Sequence, residues 1–166
     1  MTVRNGVKSI DANILLDYVL QNSLKDPDRK KRVNKFFNPS NSGEFEIRIF
    51  VYTLGEVFKR LLEPRNGNYV NLTDTAIQRH FQNVRTWMKE GHLVPVKMDS
   101  LSSGFQRYYN DIDRKDSIIQ KGDKLALAAF CSDDASTSFY SFDSKVNQSV
   151  WLQEYVGKFG KRIQEP

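Results

Sequence analysis

The chain has one cysteine, Cys131, in 166 residues. That excludes a disulfide framework and leaves no cysteine pair for a zinc site. The two histidines, His80 and His92, do not form an H-x-x-x-H pair either. No glycine-rich phosphate loop of the Walker or dinucleotide type is present. The densest apolar run, "LALAAFC" from Leu125 to Cys131, falls far short of the roughly 20 residues a membrane span needs. The first residues, "MTVRNGVKS", carry no apolar signal segment, so the expected location is cytoplasmic. Cys131 then reads as a buried small hydrophobe in a reducing compartment. Internal repeats and low-complexity segments are absent too.

What is present is an ordinary globular mixture, 39% hydrophobic and 27% charged, which predicts one domain over residues 1–166. The net charge of +5 and pI near 9.3 favour an anionic partner, with nucleic acid first and acidic membrane second. A membrane role has only the charge in its favour, because no strongly basic helix also presents large exposed apolar residues. The charge is uneven. Arg29, Lys30, Lys31 and Arg32 continue to Lys35, and "KFGKR" lies near the C-terminus. The first group is the best candidate for phosphate contacts, with a solvated helix face as the alternative.

Along the chain, Val7 to Asp11 reads as a strand and Asn13 to Gln21 as a helix apolar on nearly every face. Asp17, inside that helix, is expected near the surface. A basic helix follows from Asp28 to Phe37, then the loop "NPSNSGE". Phe45 to Tyr52 has strand composition, and Thr53 to Glu63 reads as a helix. The polar loop "EPRNGNYVN" is expected to border a site. Leu72 to Glu90 is the clearest helix, with Ile77, Phe81, Val84 and Met88 in phase and Gly91 as its stop. "HLVPVK" is a third strand, and Ser100 to Asp113 another helix. Gly122-Asp123 opens the helix "KLALAAFCS", Ser138 to Phe142 is a fourth strand, and Ser144 to Phe159 the last helix. This alternation predicts an α/β fold: a three-layer α/β/α sandwich around a central, mostly parallel sheet.

In such sheets ligands bind beyond the carboxyl ends of the strands. Four acids fall at or near those points: Asp11, Glu56, Asp123 and Asp143. Singly, each has a plain reading. Asp11, Asp123 and Asp143 suit helix N-caps, typically worth about 1 kcal/mol. Glu56 suits an ion pair with Arg60, worth about 0.2–0.5 kcal/mol. Jointly, parallel strands would gather the four carboxylates at one edge, where a divalent cation relieves their repulsion. Oxygen ligands of this type suit Mg²⁺ or Mn²⁺.

The segments "SIDANILLDYVL" at Asp11, "VYTLGEVFKRL" at Glu56, "GDKLALAAF" at Asp123 and "FYSFDSKV" at Asp143 resemble, in order and hydrophobic framing, the four-part pattern of the PIN-domain ribonucleases. The resemblance spans almost the whole chain. It implies a central parallel sheet and Mg²⁺- or Mn²⁺-dependent cleavage of single-stranded or structured RNA. The chain is longer than the small toxin-type members, with extra material around residues 22–48 and 99–117. Gln120 stands where that family often has an acid. A homodimer and an antitoxin-like protein are the further partners the resemblance leaves open.

On this reading Asp11, Glu56, Asp123 and Asp143 hold the metal and carry the catalysis, with Asn13 and Ser141 orienting ligands or water. The plain roles of those two, capping and a small polar strand residue, stay open. Lys121 and Lys124 flank Asp123 as candidate phosphate contacts, and Trp87, Tyr108 and Tyr109 are candidates for base stacking. A haloacid-dehalogenase-like phosphatase would want an aspartate where Asn13 stands. A receiver domain would want an acidic pair at the first strand and a lysine after the last. A non-cleaving domain that binds RNA or a protein partner is the alternative outside catalysis.

Overall fold

A computed structural model describes residues 6–41, 44–63 and 72–166. Five strands form one sheet: β1 (Val7–Ile10), β2 (Glu46–Phe50), β3 (Leu93–Val96), β4 (Ser138–Tyr140) and β5 (Arg162–Gln164). The order is β3-β2-β1-β4-β5 and every pairing is parallel. Parallel neighbours require crossovers, and each crossover here carries helices. These are α1 (Ala12–Val19) and α2 (Pro27–Asn41), α3 (Val51–Leu62) and α4 (Asp74–Lys89), α5 (Phe105–Lys115) and α6 (Lys121–Ser132), then α7 (Ser144–Gln148) and α8 (Val150–Gly157).

The chain moves outward from β1 to β3, then returns to the other side of β1 for β4 and β5. Right-handed crossovers in opposite directions put their helices on opposite faces. Two cores follow. Ile10, Ile47, Ile49, Leu93 and Tyr140 pack with residues of α1 to α4. Phe139 and Ile163 pack with residues of α5 to α8. Phe139 and Tyr140 are neighbours in one strand, so the period of two sends one to each core. The expected three-layer arrangement is thus observed.

Several boundaries differ for identifiable reasons. Val51 and Tyr52 belong to the first turn of α3, not to β2. Their composition suits a strand, but the sheet ends at Phe50 and both lie exposed beyond its edge. The helix expected over Ser144 to Phe159 breaks at Ser149, whose Oγ accepts from Leu152 N (3.3 Å) and donates to Asp116 Oδ2 (2.8 Å). β5 went unforeseen because it is only three residues long and begins in a basic run. Helix α2 runs past Phe37 to Asn41, into the expected loop "NPSNSGE". The expected helix from Ser100 begins instead at Phe105, after a 3-10 turn at Met98–Ser100. The loop expected at "EPRNGNYVN" falls almost wholly outside the described residues.

Other expectations hold. Thr73 caps α4 by accepting from Ala76 N at 3.2 Å, and Gly91 after its end has φ +74°, a conformation glycine adopts freely. Pro95 sits in β3, which among the described residues pairs only with β2, so the missing N–H falls on an edge strand. Cys131 is buried, and burial pushes its thiol up to about 12. Among the described residues no helix is long and apolar enough to cross a membrane.

Candidate active site

Between β1 and β4 the strand order reverses, and the crevice at such a switch point is where α/β sheets bind ligands. Asp11 follows β1 directly, its N–H still on the ladder to Tyr140 O at 2.9 Å. Its side chain is only 3% exposed. Oδ1 accepts from Ala12 N at 2.7 Å, and Oδ2 accepts from Asn13 Nδ2 (2.9 Å) and Ser141 Oγ (2.8 Å). A carboxylate has about four lone-pair sites, so these three bonds leave one for a cation or a proton.

Asp11, Asn13 and Ser141 tie the end of β1 to the β4–α7 turn. Ser141 is wholly buried. Its Oγ also accepts from Asp143 N (3.0 Å), and Asn13 Oδ1 accepts from Phe142 N (3.1 Å). Asn147 Nδ2 secures the turn from α7 by donating to the carbonyls of Ser141 (2.8 Å) and Asp143 (3.0 Å). Asn13 and Ser141 thus set the orientation of Asp11 and the path of the chain into Asp143.

Glu56 lies in the second turn of α3 and Asp123 in the first turn of α6. Gly122 brings these helices together: a Cβ there would stand 3.4 Å from Glu56 Oε2. Asp11, Glu56, Asp123 and Asp143 then line one cavity of about 220 Å³ with Ala12, Asn13, Arg60 and Gln120. All four sequence-identified acids are gathered there. Burial pushes Asp11 up to about 6; the hydrogen bonds from Ser141 and Ala12 oppose this, and the charges of Glu56 and Asp143 add to it. Burial first, then the charges of Asp11, Asp143 and Glu56, push Asp123 up to about 7 against the pull of Arg60.

The plain readings hold as well. Asp11 caps α1, and Asp143 caps α7 by accepting from Lys145 N at 2.8 Å. Glu56 Oε1 lies 2.5 Å from Arg60 Nη2. Asp123 is different: the N-cap of α6 is Gln120, so capping does not explain that carboxylate. Among the described residues no group of three or more His, Cys, Asp or Glu side chains is arranged, as it stands, to hold a metal ion. The donor set still fits Mg²⁺ or Mn²⁺ in kind: oxygen only, partly dehydrated and mutually repelling.

The basic residues are placed less simply. Asp17 is fully buried rather than near the surface, and Arg29 Nη2 lies 2.5 Å from its Oδ2. Arg32 pairs with Glu165 at 2.5 Å. The guanidinium carbons of Arg29 and Arg32 stand 4.6 and 5.0 Å from the centre of the Phe142 ring. Both arginines therefore brace the turn that carries Ser141 and Asp143. Sequence reasoning missed this because Asp17, Arg29 and Phe142 meet only in three dimensions. Lys31 and Lys35 are exposed, and Lys30 is half-buried. Lys124 is 8% exposed and donates to Asp113 Oδ1 at 2.9 Å, so its charge is engaged with α5. Lys121 is exposed at the start of α6. Trp87, Tyr108 and Tyr109 pack against the two cores, so core contact accounts for all three.

No family model matches the chain, and no curated protein matches it. Solved structures do share its fold. The crystal structure of VapBC2 from Rickettsia felis, bound to a DNA fragment from their promoter, superposes with a TM-score of 0.60 at 12% identity, over 96% of this chain and 98% of that one. FitAB bound to an IR36 DNA fragment superposes with a TM-score of 0.59 at 13% identity, over 96% of this chain and 94% of that one. The fold is the PIN-like α/β fold that the sequence resemblance implied. At these identities the likeness is one of fold.

Proposed function

We propose that residues 1–166 form one nuclease domain, a Mg²⁺- or Mn²⁺-dependent ribonuclease that hydrolyses RNA phosphodiester bonds. The observation that carries this reading is the meeting of Asp11, Glu56, Asp123 and Asp143, from four separate segments, around one cavity at the switch point. Carboxyls raised by burial and by one another are in the state that a divalent cation relieves.

Asp11 and Asp123 would hold the ion, with Glu56 and Asp143 joining directly or through water. When bound, the ion supplies Lewis acidity that acidifies water and offsets charge growing on the phosphate. The protein's own groups do the rest. Ser141 and Asn13 keep Asp11 in one orientation. Arg60, the one cation among the described residues lining the cavity, pairs with Glu56 and would be available to a phosphate oxygen if Glu56 served the metal instead. Lys31, Lys35 and Lys121 are the exposed candidates for contacts with phosphates further along the strand. An antitoxin-like protein and a second copy of the chain are the partners consistent with the resemblance.

The Glu56–Arg60 pair favours a second reading, in which Arg60 substitutes for the metal and the domain binds RNA or a protein without cleaving. One experiment separates the two: purified protein is incubated with mixed RNA and Mg²⁺, Mn²⁺ or EDTA, beside Asp11→Asn and Asp123→Asn. Cleavage that needs metal and is lost in both variants supports the ribonuclease. Cleavage that survives both substitutions or ignores EDTA contradicts it, and RNA binding without cleavage in any metal supports the second reading.

A further inference from the structure

A second, larger groove adjoins the carboxylate cavity. It measures about 790 Å³, within the usual range of ligand sites, and shares Glu56, Gln120 and Asp123 with the cavity. Its other wall is apolar. Val51, Tyr52 and Met98 line it and are 42%, 60% and 53% exposed. Large apolar side chains clustered in the open mark interaction sites. Phe50 backs this wall, with its ring 6.5 Å from Tyr52 and 6.0 Å from Phe105.

We propose that this groove is a base-binding subsite for an unpaired nucleotide of RNA, with Tyr52 as the stacking platform. The inference rests on the ribonuclease reading of the adjoining cavity and names how that site takes its substrate. A nucleobase has a flat apolar face and a polar edge. The groove pairs an aromatic wall with the side chain of Gln120, a donor and acceptor for such an edge. The apolar wall runs directly into Glu56 and Asp123, so a ring stacked there is tethered to a phosphate at the carboxylates. An apolar protein segment laid in the same groove would press its non-polar surface against those charges. Lys59, 76% exposed at its side chain, supplies a cation on the rim for the next phosphate.

Gly55 supports the assignment. It lies within α3, where glycine costs about 1 kcal/mol relative to alanine. A Cβ there would meet nothing within 4 Å, so packing does not require the glycine. It lines the groove, and its missing side chain leaves that part of the groove open.

The test uses Asp123→Asn as the non-cleaving background and a fluorescein-labelled 12-nucleotide oligoadenylate, alone or annealed to its complement, read by anisotropy. Adding Tyr52→Ala weakens single-strand binding roughly 5- to 100-fold, the range for loss of one base–aromatic stack. Tyr52→Phe restores binding to within about threefold, since the ring is kept. Gly55→Leu, which puts a side chain into the groove, also weakens binding, and the duplex binds more weakly than the single strand. Unchanged affinity in both Tyr52→Ala and Gly55→Leu overturns the proposal, as does equal binding of duplex and single strand. So does a finding that Tyr52→Ala leaves RNA binding intact and abolishes self-association in sedimentation, because the occupant is then a second copy. The two readings fail separately. Tyr52-dependent binding without metal-dependent cleavage by the unsubstituted protein sinks the hydrolase and keeps the subsite. Cleavage whose KM ignores Tyr52 sinks the subsite alone.

Discussion

Asp123 sits where the fold disfavours a negative charge. Its ordinary value of 3.8 rises to about 7 in the fold, so between those values the folded state holds the proton more tightly than the unfolded chain. The stability this provides is complete at low pH, declines as pH rises through that window and is gone above it. Asp123→Asn removes the penalty. In EDTA at pH 8 the variant is expected to be more stable than the unsubstituted protein by on the order of 1–2 kcal/mol, allowing for solvent screening, and no different near pH 4. Thermal melts across that range check it; a difference that does not grow with pH contradicts the cause given for the shift. Ser141→Ala acts differently. It takes the donor from a buried carboxylate and the acceptor from Asp143 N, so it should cost about 1–3 kcal/mol in denaturant titrations. At this scale the sequence was informative where function depends on place in the chain. Asp11, Asn13, Ser141 and Asp143 sit at strand ends, and strand ends are readable. Asp17 was not readable, because a helix apolar on all sides gives no cue that one buried acid has a distant arginine.

Helix α2 shows how an element can carry two kinds of basic residue. Asp26 Oδ1 accepts from Asp28 N and Arg29 N, and Pro27 fits the first helical position, so α2 starts where its cap dictates. From there Arg29 points inward to Asp17 and Phe142, while Lys31 and Lys35 face solvent. Arg29→Gln should therefore destabilise the fold by about 3 kcal/mol, the cost of breaking a buried pair, whereas Lys31→Gln should change it by less than about 0.5 kcal/mol. Equal effects in chemical denaturation would contradict the division. On the ribonuclease reading the order should reverse for RNA: Lys31→Gln and Lys35→Gln are expected to weaken binding and flatten its salt dependence in anisotropy titrations across a salt series. "RKKR" could not reveal this split, since four adjacent cations look alike until the partner helix is placed. The same applies to Val51 and Tyr52, whose strand-like composition reflects an aromatic groove rather than a longer strand.

At the scale of the whole molecule, the sheet order explains why the acids meet. β1 and β4 are far apart in sequence but adjacent in the sheet, so Asp11 and Asp143 leave the same edge. Helices α3 and α6 bring Glu56 and Asp123 to it. Alternating strands and helices made the parallel sheet legible, and the parallel sheet made the convergence legible. The strand order, β5 and the neighbouring groove were not, because each depends on pairings between distant segments. The convergence of four carboxylates predicts that this edge binds a divalent cation. Calorimetric titration with Mn²⁺ at pH 7.5 tests it most directly, with the unsubstituted protein beside Asp11→Asn and Asp123→Asn. Saturable binding to the unsubstituted protein that is lost or weakened at least tenfold in both variants is the expected result. Absence of binding at millimolar Mn²⁺, or equal binding by all three proteins, would contradict the account.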